Sequence, residues 1–357
     1  MNDRAEILGF DRRKALLTVG IAVLLAAGAV TLVGRVADFD EVLSALRHAD
    51  NAWFPVCLAG LLCAYAGYIL GYREVARMHG GPSLPIWTVC RIVGIGFGAN
   101  VLGSAAGGLA VDFWALHRAG AGVHDAARRV LGFNTLEWAL LGTGAAVAAA
   151  VVLAGGASAP LAMTLPWIVV VPLCIAAAAW VSSPKRRNRF AKVDDLAGER
   201  RRSGVFGWLR WAWVKTKKGL ADAIGGVLVV RHLLTHPRSH PWGILGFAVY
   251  WFGHLLTLYA ALRAFGVDDV HLAALVLAFA TGYVATALPL PGGGSGGIEA
   301  ALAFSLHAVG VPLAPALLAA LVYRFFTFWL PILPALVLFP SIGGLDAELG
   351  RLKERAA

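Results

Sequence analysis

Apolar runs long enough to cross a membrane recur along almost the whole of this 357-residue chain. Crossing a hydrocarbon core of about 30 Å takes about 20 helical residues, and about six runs meet that length. They lie at residues 15–33, 52–72, 130–154, 161–181, 242–263 and 315–339. Only 15% of the residues are charged, whereas about 25% are charged in a soluble globular domain. The sequence therefore predicts an all-α polytopic membrane protein in which residues 1–357 form a single integral membrane domain.

Two further apolar stretches are interrupted in the middle. Residues 86–118 are broken by "GANVLGSAAGG" and residues 271–309 by "LPLPGGGSGG". We expect each stretch to enter the membrane, turn and leave on the same side as a re-entrant broken-helix hairpin. Broken helices are tolerated in lipid only where protein or a water-filled cavity satisfies the freed backbone groups. The two breaks therefore predict a polar site inside the membrane.

The distribution of positive charge supports the two hairpins. Lys and Arg are enriched in the cytoplasmic loops of membrane proteins. With both hairpins re-entrant, all the basic clusters fall on one side, which predicts a cell-membrane protein with cytoplasmic N- and C-termini. These clusters are Arg12 to Lys14, Arg73 with Arg77, Arg118 with Arg128 and Arg129, Lys185 to Arg189, and Arg351 to Arg355.

The two halves of the chain match at an offset of 190 residues. The matched positions are Arg73 with Arg263, Gly103 with Gly293, Gly107 with Gly297, His117 with His307, Gly120 with Gly310 and Ala126 with Ala316. The match predicts two repeat units, 52–154 and 242–339, joined by the transmembrane helix 161–181. In the topology above, the units cross the membrane in opposite directions. Inverted repeats with discontinuous helices are common in transporters.

The remaining segments are predicted to be peripheral. Residues 15–33 are either an N-terminal transmembrane anchor or a signal peptide, and their length favours the anchor. Residues 183–240 form a basic cytoplasmic loop, either a solvated linker or a segment containing an amphipathic interfacial helix. In that helix, apolar side chains recur at near-helical spacing, at Phe206, Leu209, Trp213, Leu220, Ile224, Val227 and Leu228. Residues 341–357 are predicted to be a cytoplasmic tail.

Charged residues inside the apolar runs are the candidate functional groups, because burying a charge in lipid is costly. Glu299 follows the glycine-rich break near the start of a helix predicted at 296–309, and Arg324 lies in the last apolar run, so we expect them to pair. Pro291, Gly292 and Gly293 form the break itself. The candidates in the first half are Arg91, Asn100, Asp112 and Glu137. The alternative for each residue is an ion-pair network that only fixes helix packing.

Signatures of other classes of protein are missing from the sequence. It contains no GxxxxGK[ST] or HExxH motif, and its four cysteines lie in apolar segments without metal-ligand spacing. The net charge of +10 is concentrated in flanks and loops, where membrane orientation explains it better than nucleic acid does. We therefore expect no enzymatic activity, no metal or other cofactor and no nucleic-acid partner.

Two long blocks carry a family resemblance. The stretch "LPLPGGGSGGIEAALAFSLHAVGVPLAPALLAALVYRFFTFWLP" closely resembles the transmembrane region of lysylphosphatidylglycerol synthases, and "RIVGIGFGANVLGSAAGGLAVDFWALHRAGAGVHDAARRVLGFNTLEW" is similar to that family's other recurrent block. The resemblance extends over roughly residues 15–340. It implies a flippase-like region that moves aminoacylated phosphatidylglycerol between leaflets, without the soluble synthase domain that makes this lipid.

The resemblance also implies site residues. Pro291, Gly292, Gly293, Glu299 and Arg324 match the second block, whereas the first block is matched by Arg91, Asn100, Gly108, Asp112 and Glu137. This chain departs from the family in having no proline near Ser104, and in replacing an arginine often found soon after the aspartate by the run 113–116.

Three functions are compatible with these features. The leading one is a translocator whose partner is a membrane phospholipid, which the resemblance suggests is aminoacylated phosphatidylglycerol, or a lipid-linked intermediate. The first alternative is a non-transporting lipid-binding partner of a separate membrane synthase or glycosyltransferase. The second is an ion- or proton-coupled solute transporter that uses Glu299 as its titrating carboxylate.

Overall fold

The computed structural model describes residues 39–103, 105–183, 222–287 and 295–356, together with the single positions 20, 24, 28 and 31. Regular structure within these ranges is helical throughout. The helices are α1 Phe39–Arg47, α2 Phe54–Arg77, α3 Ile86–Gly103, α4 Ala105–Arg118, α5 Val123–Val151, α6 Leu161–Val181, α7 222–235, α8 Pro241–Ala264, α9 Leu272–Tyr283, α10 Gly297–Ala308, α11 Leu313–Arg324, α12 Ile332–Leu338 and α13 Ile342–Ala356.

Five helical segments of the described chain are long and apolar enough to cross a membrane. They are Asn51–Gly80, Val123–Gly156, Leu161–Val181, Pro241–Ala264 and Leu313–Arg355. Each contains or overlaps one of the predicted runs after the first, which confirms the all-α polytopic membrane fold. The predicted anchor at 15–33 lies outside the described residues, apart from four single helical positions.

Helices α3 and α4 form a hairpin whose break falls where the glycine-rich sequence predicts one. Near the turn, the backbone amide of Gly108 donates a hydrogen bond to Oδ1 of Asn100 at 2.8 Å. The two arms have 18 and 14 residues, so at about 1.5 Å per residue each is shorter than a hydrocarbon core of about 30 Å. The short arms favour a hairpin that does not cross the membrane, and re-entry itself stays a prediction.

The second interrupted stretch also forms two helical arms on either side of its glycine-rich break. Helix α9 continues as a 3₁₀ turn at Val284–Ala287, and α10 then begins at Gly297. This start confirms the helix predicted at 296–309. The two arms pack closely, since a methyl group added to Gly282 would lie 2.7 Å from Cα of Leu302. Residues 288–294 between the arms, including the predicted site residues Pro291, Gly292 and Gly293, lie outside the described residues.

Helices α2 and α8 pack along a seam of glycines. A methyl group added to Gly60 would lie 2.5 Å from Oγ1 of Thr257, and one added to Gly67 would lie 2.5 Å from the amide nitrogen of Tyr250. Residue numbers rise along α2 as they fall along α8, so the two helices are antiparallel. The offset of 190 converts Gly60 into Tyr250 and Gly67 into Thr257, which makes the two contacts equivalent. A two-fold axis between antiparallel equivalent helices is the arrangement that an inverted repeat requires.

The turns after α4 and α10 also correspond at this offset. Gly120 and Gly310 have positive φ angles of 108° and 100°, and the next helix begins three residues after each glycine. Nδ1 of His117 lies 3.0 Å from the carbonyl oxygen of Ala121, and Nδ1 of His307 lies 2.9 Å from that of Val311, in each case four residues further on. The matched histidines therefore occupy equivalent turns.

The last predicted run, 315–339, is not one regular helix. After α11 the chain forms a π-helical turn at Phe325–Trp329 and a turn at residues 330–331 before α12 begins. A proline cannot supply the amide that a continuous α-helix needs there. The two turns therefore interrupt the regular α-helix between α11 and α12, a detail that apolarity alone does not predict.

Two peripheral segments pack on the protein more closely than the sequence indicates. The segment predicted to be a tail, 341–357, forms α13, which buries Ile342, Leu345 and Leu349. Helix α7 buries Val229 and Leu233 and passes so close to α5 that a methyl group on Gly132 would lie 2.8 Å from Cβ of Val229. The apolar face of α7 is therefore covered by protein. Residues 206–220 of the predicted interfacial helix lie outside the described residues.

Candidate functional site

Glu299 and Arg324, which the sequence predicts to be a pair, are in contact. Nε of Arg324, at the end of α11, donates a hydrogen bond to Oε1 of Glu299, in the first turn of α10, at 3.2 Å. Their side chains are only 8% and 1% exposed. An isolated charge at this depth would keep none of its solvation, so each group needs the other. The predicted pairing is confirmed.

The same carboxylate caps its own helix. The backbone amide of Gly296 donates a hydrogen bond to Oε2 of Glu299 at 2.6 Å, where the positive end of the helix dipole also favours an anion. Gly296 has a φ of 85°, a conformation that a residue with a Cβ adopts only at a cost. Glu299 therefore connects the end of the glycine-rich break to both α10 and α11.

Aromatic side chains surround the other side of Arg324. Its guanidinium carbon lies 4.1 Å from the ring centroid of Phe328, which belongs to the π-helical turn. Such turns occur frequently at functional sites. The neighbouring Tyr323 places its hydroxyl 2.7 Å from Nδ1 of His254, so the end of α11 is tied to the middle of α8.

Two acidic residues of the first unit are connected to Arg324 through a chain of neighbouring side chains. Asp112 on α4 is buried, and it lies close enough to Glu137 on α5 for the two carboxylates to interact electrostatically. Glu137 accepts a hydrogen bond from the hydroxyl of Tyr250 at 3.4 Å, and Tyr283 lies within electrostatic range of both Glu137 and Arg324. Among the described residues, none donates a hydrogen bond to the carboxylate of Asp112. The first unit thus contributes two carboxylates and the second contributes a carboxylate with its cation.

Tyrosine, tryptophan and histidine side chains pack against one another around these charged residues. They are Tyr68, Tyr72, Tyr250, Trp251, His254, Tyr283 and Tyr323. The sequence-based selection of charged residues missed them. Part of the signal was present, because Tyr250 and His254 are four residues apart on one helix face and Tyr323 adjoins Arg324. We refer to these side chains together with Asp112, Glu137, Glu299 and Arg324 as the central polar cluster.

Part of the central polar cluster lies at the middle of a helix long enough to cross a membrane. Helix α8 has 24 residues and is about 36 Å long at 1.5 Å per residue. Residues 250–254 occupy its centre, beside the two-fold axis of the glycine seam. For an inverted repeat, this axis lies in the plane of the membrane.

The match to a known family covers the whole cluster, the first unit and the second unit up to residue 335. Residues 18–335 match the model of the lysylphosphatidylglycerol synthase transmembrane region. The chain belongs to this family. No curated protein matches it. In this family member, the central polar cluster is therefore part of the region that defines the family.

Two of the candidate site residues, Arg91 and Asn100, lie outside the central polar cluster of this family member. Nη1 of Arg91 donates a hydrogen bond to Oε2 of Glu348 on α13 at 2.9 Å, and its Nη2 donates to the carbonyl oxygen of Ser341 at 2.8 Å. The side chain of Asn100 accepts the hydrogen bond from Gly108 that joins the two arms of the first hairpin. Both residues make these contacts outside the central polar cluster, and their role in binding substrate stays a prediction.

A second group of titratable residues lies where α2, α7 and α8 meet. The ring of His232 lies 4.3 Å from that of His79, 4.4 Å from that of His236 and 5.5 Å from that of His240, measured between centroids. Nδ1 of His240 lies 2.8 Å from a carboxylate oxygen of Glu74. Burial and then the neighbouring imidazoles lower the pKa of His232. Within the described ranges no such group is arranged to hold a metal ion.

Proposed function

We propose that this protein moves a phospholipid or a lipid-linked intermediate between the two leaflets of the cell membrane, without a catalytic step and with both termini in the cytoplasm. The observation that carries the proposal is the buried Glu299–Arg324 pair, which Tyr283 connects to Glu137 and, beyond it, to Asp112. A lipid headgroup crossing the hydrocarbon core needs polar partners at this depth, while its acyl chains stay in lipid.

The signs of the charges favour a headgroup that carries both a phosphate and a cation. Arg324 is suited to a phosphate, because guanidinium groups bind phosphate oxygens through two parallel hydrogen bonds. Asp112 and Glu137 are suited to an ammonium group. Aminoacylated phosphatidylglycerol carries both groups, and the family membership of the chain supports this lipid class. We propose it as the first substrate to test.

A leaflet-resolved assay in proteoliposomes tests the proposal. Fluorescent aminoacylated phosphatidylglycerol is placed in both leaflets, and its transbilayer movement is followed by chemical quenching of the outer leaflet. Asp112→Asn is the first variant, because no described residue donates a hydrogen bond to this carboxylate that the substitution would remove. Glu299→Gln is the second variant. We expect both to slow the movement at least tenfold.

Arg263→Gln is the matched control for the loss of one charge. Arg263 lies at the end of α8, where its Nη1 is 2.9 Å from Oδ1 of Asp268, far along the helix from the cluster. This variant should move lipid at the wild-type rate. Wild-type rates in both Asp112→Asn and Glu299→Gln would remove the central polar cluster from the transport path.

Two other outcomes identify the alternative functions. Lipid that binds the purified protein but does not change leaflet, with co-purification of a membrane synthase or glycosyltransferase, indicates a non-transporting partner. Flux driven by a pH gradient without lipid movement indicates a proton-coupled solute transporter, and Glu299→Gln should then abolish this flux.

A further inference from the structure

Helix α13 is held across the first hairpin by charged contacts. Arg118 of α4 donates two hydrogen bonds to the carboxylate of Asp346, from Nε at 2.5 Å and from Nη2 at 3.0 Å. Glu348 accepts from Arg91 at 2.9 Å and also from the hydroxyl of Thr88, both on α3. The apolar face of α13 is buried beneath these contacts. The helix is therefore a fixed part of the fold with its polar face turned outward.

A cavity of about 530 Å³ lies between α13 and the end of α4. It is lined by Arg118, Ala347, Gly350, Arg351, Lys353 and Glu354. Three of these side chains are cations and one is an anion. The carboxylate of Asp346 neutralises Arg118, and Arg351 and Lys353 then stand against Glu354 alone, which leaves a net positive charge of one.

Small residues bring the cations together. The guanidinium of Arg118 fits against Gly350, where an added methyl group would lie 3.3 Å from Nη2. The stem of Lys353 crosses Gly120, where an added methyl group would lie 3.3 Å from its Cγ. Arg118 and Lys353 reach the cavity from different helices. The arrangement is thus built by the tertiary fold and is not a charge run on one exposed helix.

We propose that this cavity binds a phosphate-bearing anion, either the headgroup of an anionic phospholipid in the adjacent leaflet or a soluble phosphate compound. Guanidinium and ammonium groups are the side chains best suited to phosphate oxygens. The cavity opens on the face to which the positive-inside rule assigns the cytoplasm, where anionic lipids attract basic segments. Glu354 offers an acceptor for a hydroxyl or amine group on the same ligand. The site is separate from the central polar cluster and does not depend on lipid transport.

Occupancy of the site would tie α13 more firmly to the first hairpin. A phosphate held by Arg118 on one side and by Arg351 and Lys353 on the other bridges α4 and α13. Opening of α13 then requires release of the ligand, so its opening equilibrium falls by a factor of one plus the ratio of ligand concentration to Kd. At about ten times the Kd, opening falls about tenfold.

Hydrogen exchange of residues 342–356, measured by mass spectrometry, tests the proposal on the full chain. The protein is reconstituted in nanodiscs of phosphatidylcholine alone, of phosphatidylcholine with phosphatidylglycerol, or of phosphatidylcholine with inorganic phosphate in solution. The test variant is Arg351→Gln with Lys353→Gln, which leaves the Arg118–Asp346 contact and the buried face intact. The matched control is Arg355→Gln with Arg238→Gln. It removes two exposed positive charges, on α13 and on the α7–α8 loop, that do not line the cavity.

In the wild type and the control, we expect phosphatidylglycerol or inorganic phosphate to slow the exchange of residues 342–356 about tenfold relative to phosphatidylcholine alone. In the test variant, neither probe should slow it. Protection by phosphatidylglycerol alone assigns a lipid headgroup, whereas protection by inorganic phosphate assigns a soluble ligand. Unchanged exchange with both probes would overturn the proposal. Equal loss of protection in the control would overturn it too, because the effect would then come from surface charge in general.

Discussion

Removing the carboxylate of Glu299 should destabilise the fold through the cation that it leaves behind. In Glu299→Gln, the neutral amide still reaches the amide of Gly296, but Arg324 stays buried with 8% of its side chain exposed. Removing one partner of a buried ion pair costs about 3–5 kcal/mol. The contact of Arg324 with Phe328 persists and offsets part of this cost. We therefore expect a loss of about 3 kcal/mol, or about a hundredfold in the folded-to-unfolded ratio.

A double-mutant cycle separates the pair from other effects of each substitution. Arg324→Met keeps an unbranched side chain against Phe328, but it leaves the carboxylate of Glu299 without its cation. The double variant buries no unpaired charge, so it should be more stable than the sum of the single losses predicts, by about 2 kcal/mol. Unfolding by sodium dodecyl sulfate in mixed micelles, followed by far-ultraviolet circular dichroism, measures all four proteins. A coupling energy below about 0.5 kcal/mol would refute the reasoning, because the contact at 3.2 Å would then contribute no more than two distant sites do.

Three further predictions concern the scaffold. Gly253→Val should destabilise by at least about 1–3 kcal/mol, because even a methyl group there would lie 2.5 Å from the carbonyl oxygen of Gly60. Gly144→Val is the control, since a methyl group at Gly144 would have no neighbour within 4 Å, and the same unfolding assay measures both variants. Asn100→Ala should cost about 1 kcal/mol and speed hydrogen exchange at the tip of the first hairpin. Because the pKa of His232 is lowered in the folded protein, the unfolded chain binds this proton more tightly, so the stability contributed by His232 is complete above about pH 6.5 and is lost as the pH falls below it. The difference between the pH profiles of the wild type and His232→Gln measures this contribution.

The membrane fold could be predicted because lipid imposes few and simple requirements. A run such as 161–181 must be a helix of membrane-spanning length, and the structure begins and ends α6 at those residues. Helix breaks follow from clusters of glycine and proline. The contact of Glu299 with Arg324 followed from the cost of leaving either charge alone. In each case, one strong energetic term decides the outcome.

The other features depend on contacts between distant parts of the chain. The sequence does not indicate that Arg91 binds Glu348, which lies 257 residues further along the chain. A mixed charged and apolar segment such as 342–356 can be either a free tail or a packed amphipathic helix, and only tertiary packing decides between them. The tyrosines of the central polar cluster were overlooked for the same reason, because each of them alone is an ordinary membrane-helix residue.

The repeat is regular in its backbone but not in its charges. The glycine seam and the turns at Gly120 and Gly310 are equivalent, whereas the offset pairs Glu299 with Leu109 and Arg324 with Asn134. The Glu299–Arg324 pair lies wholly within the second unit, so it would move with that unit as a body. Asp112 and Glu137 would move with the first unit. Any rocking of one unit on the glycine seam would therefore change the separation between the carboxylates of the first unit and the guanidinium of the second, without breaking the pair that stabilises α10 and α11. A headgroup that carries both a cation and a phosphate contacts Asp112 or Glu137 and Arg324 at the same time, so its binding depends on the distance between them. A headgroup with a single charge contacts only one of these two sets of residues.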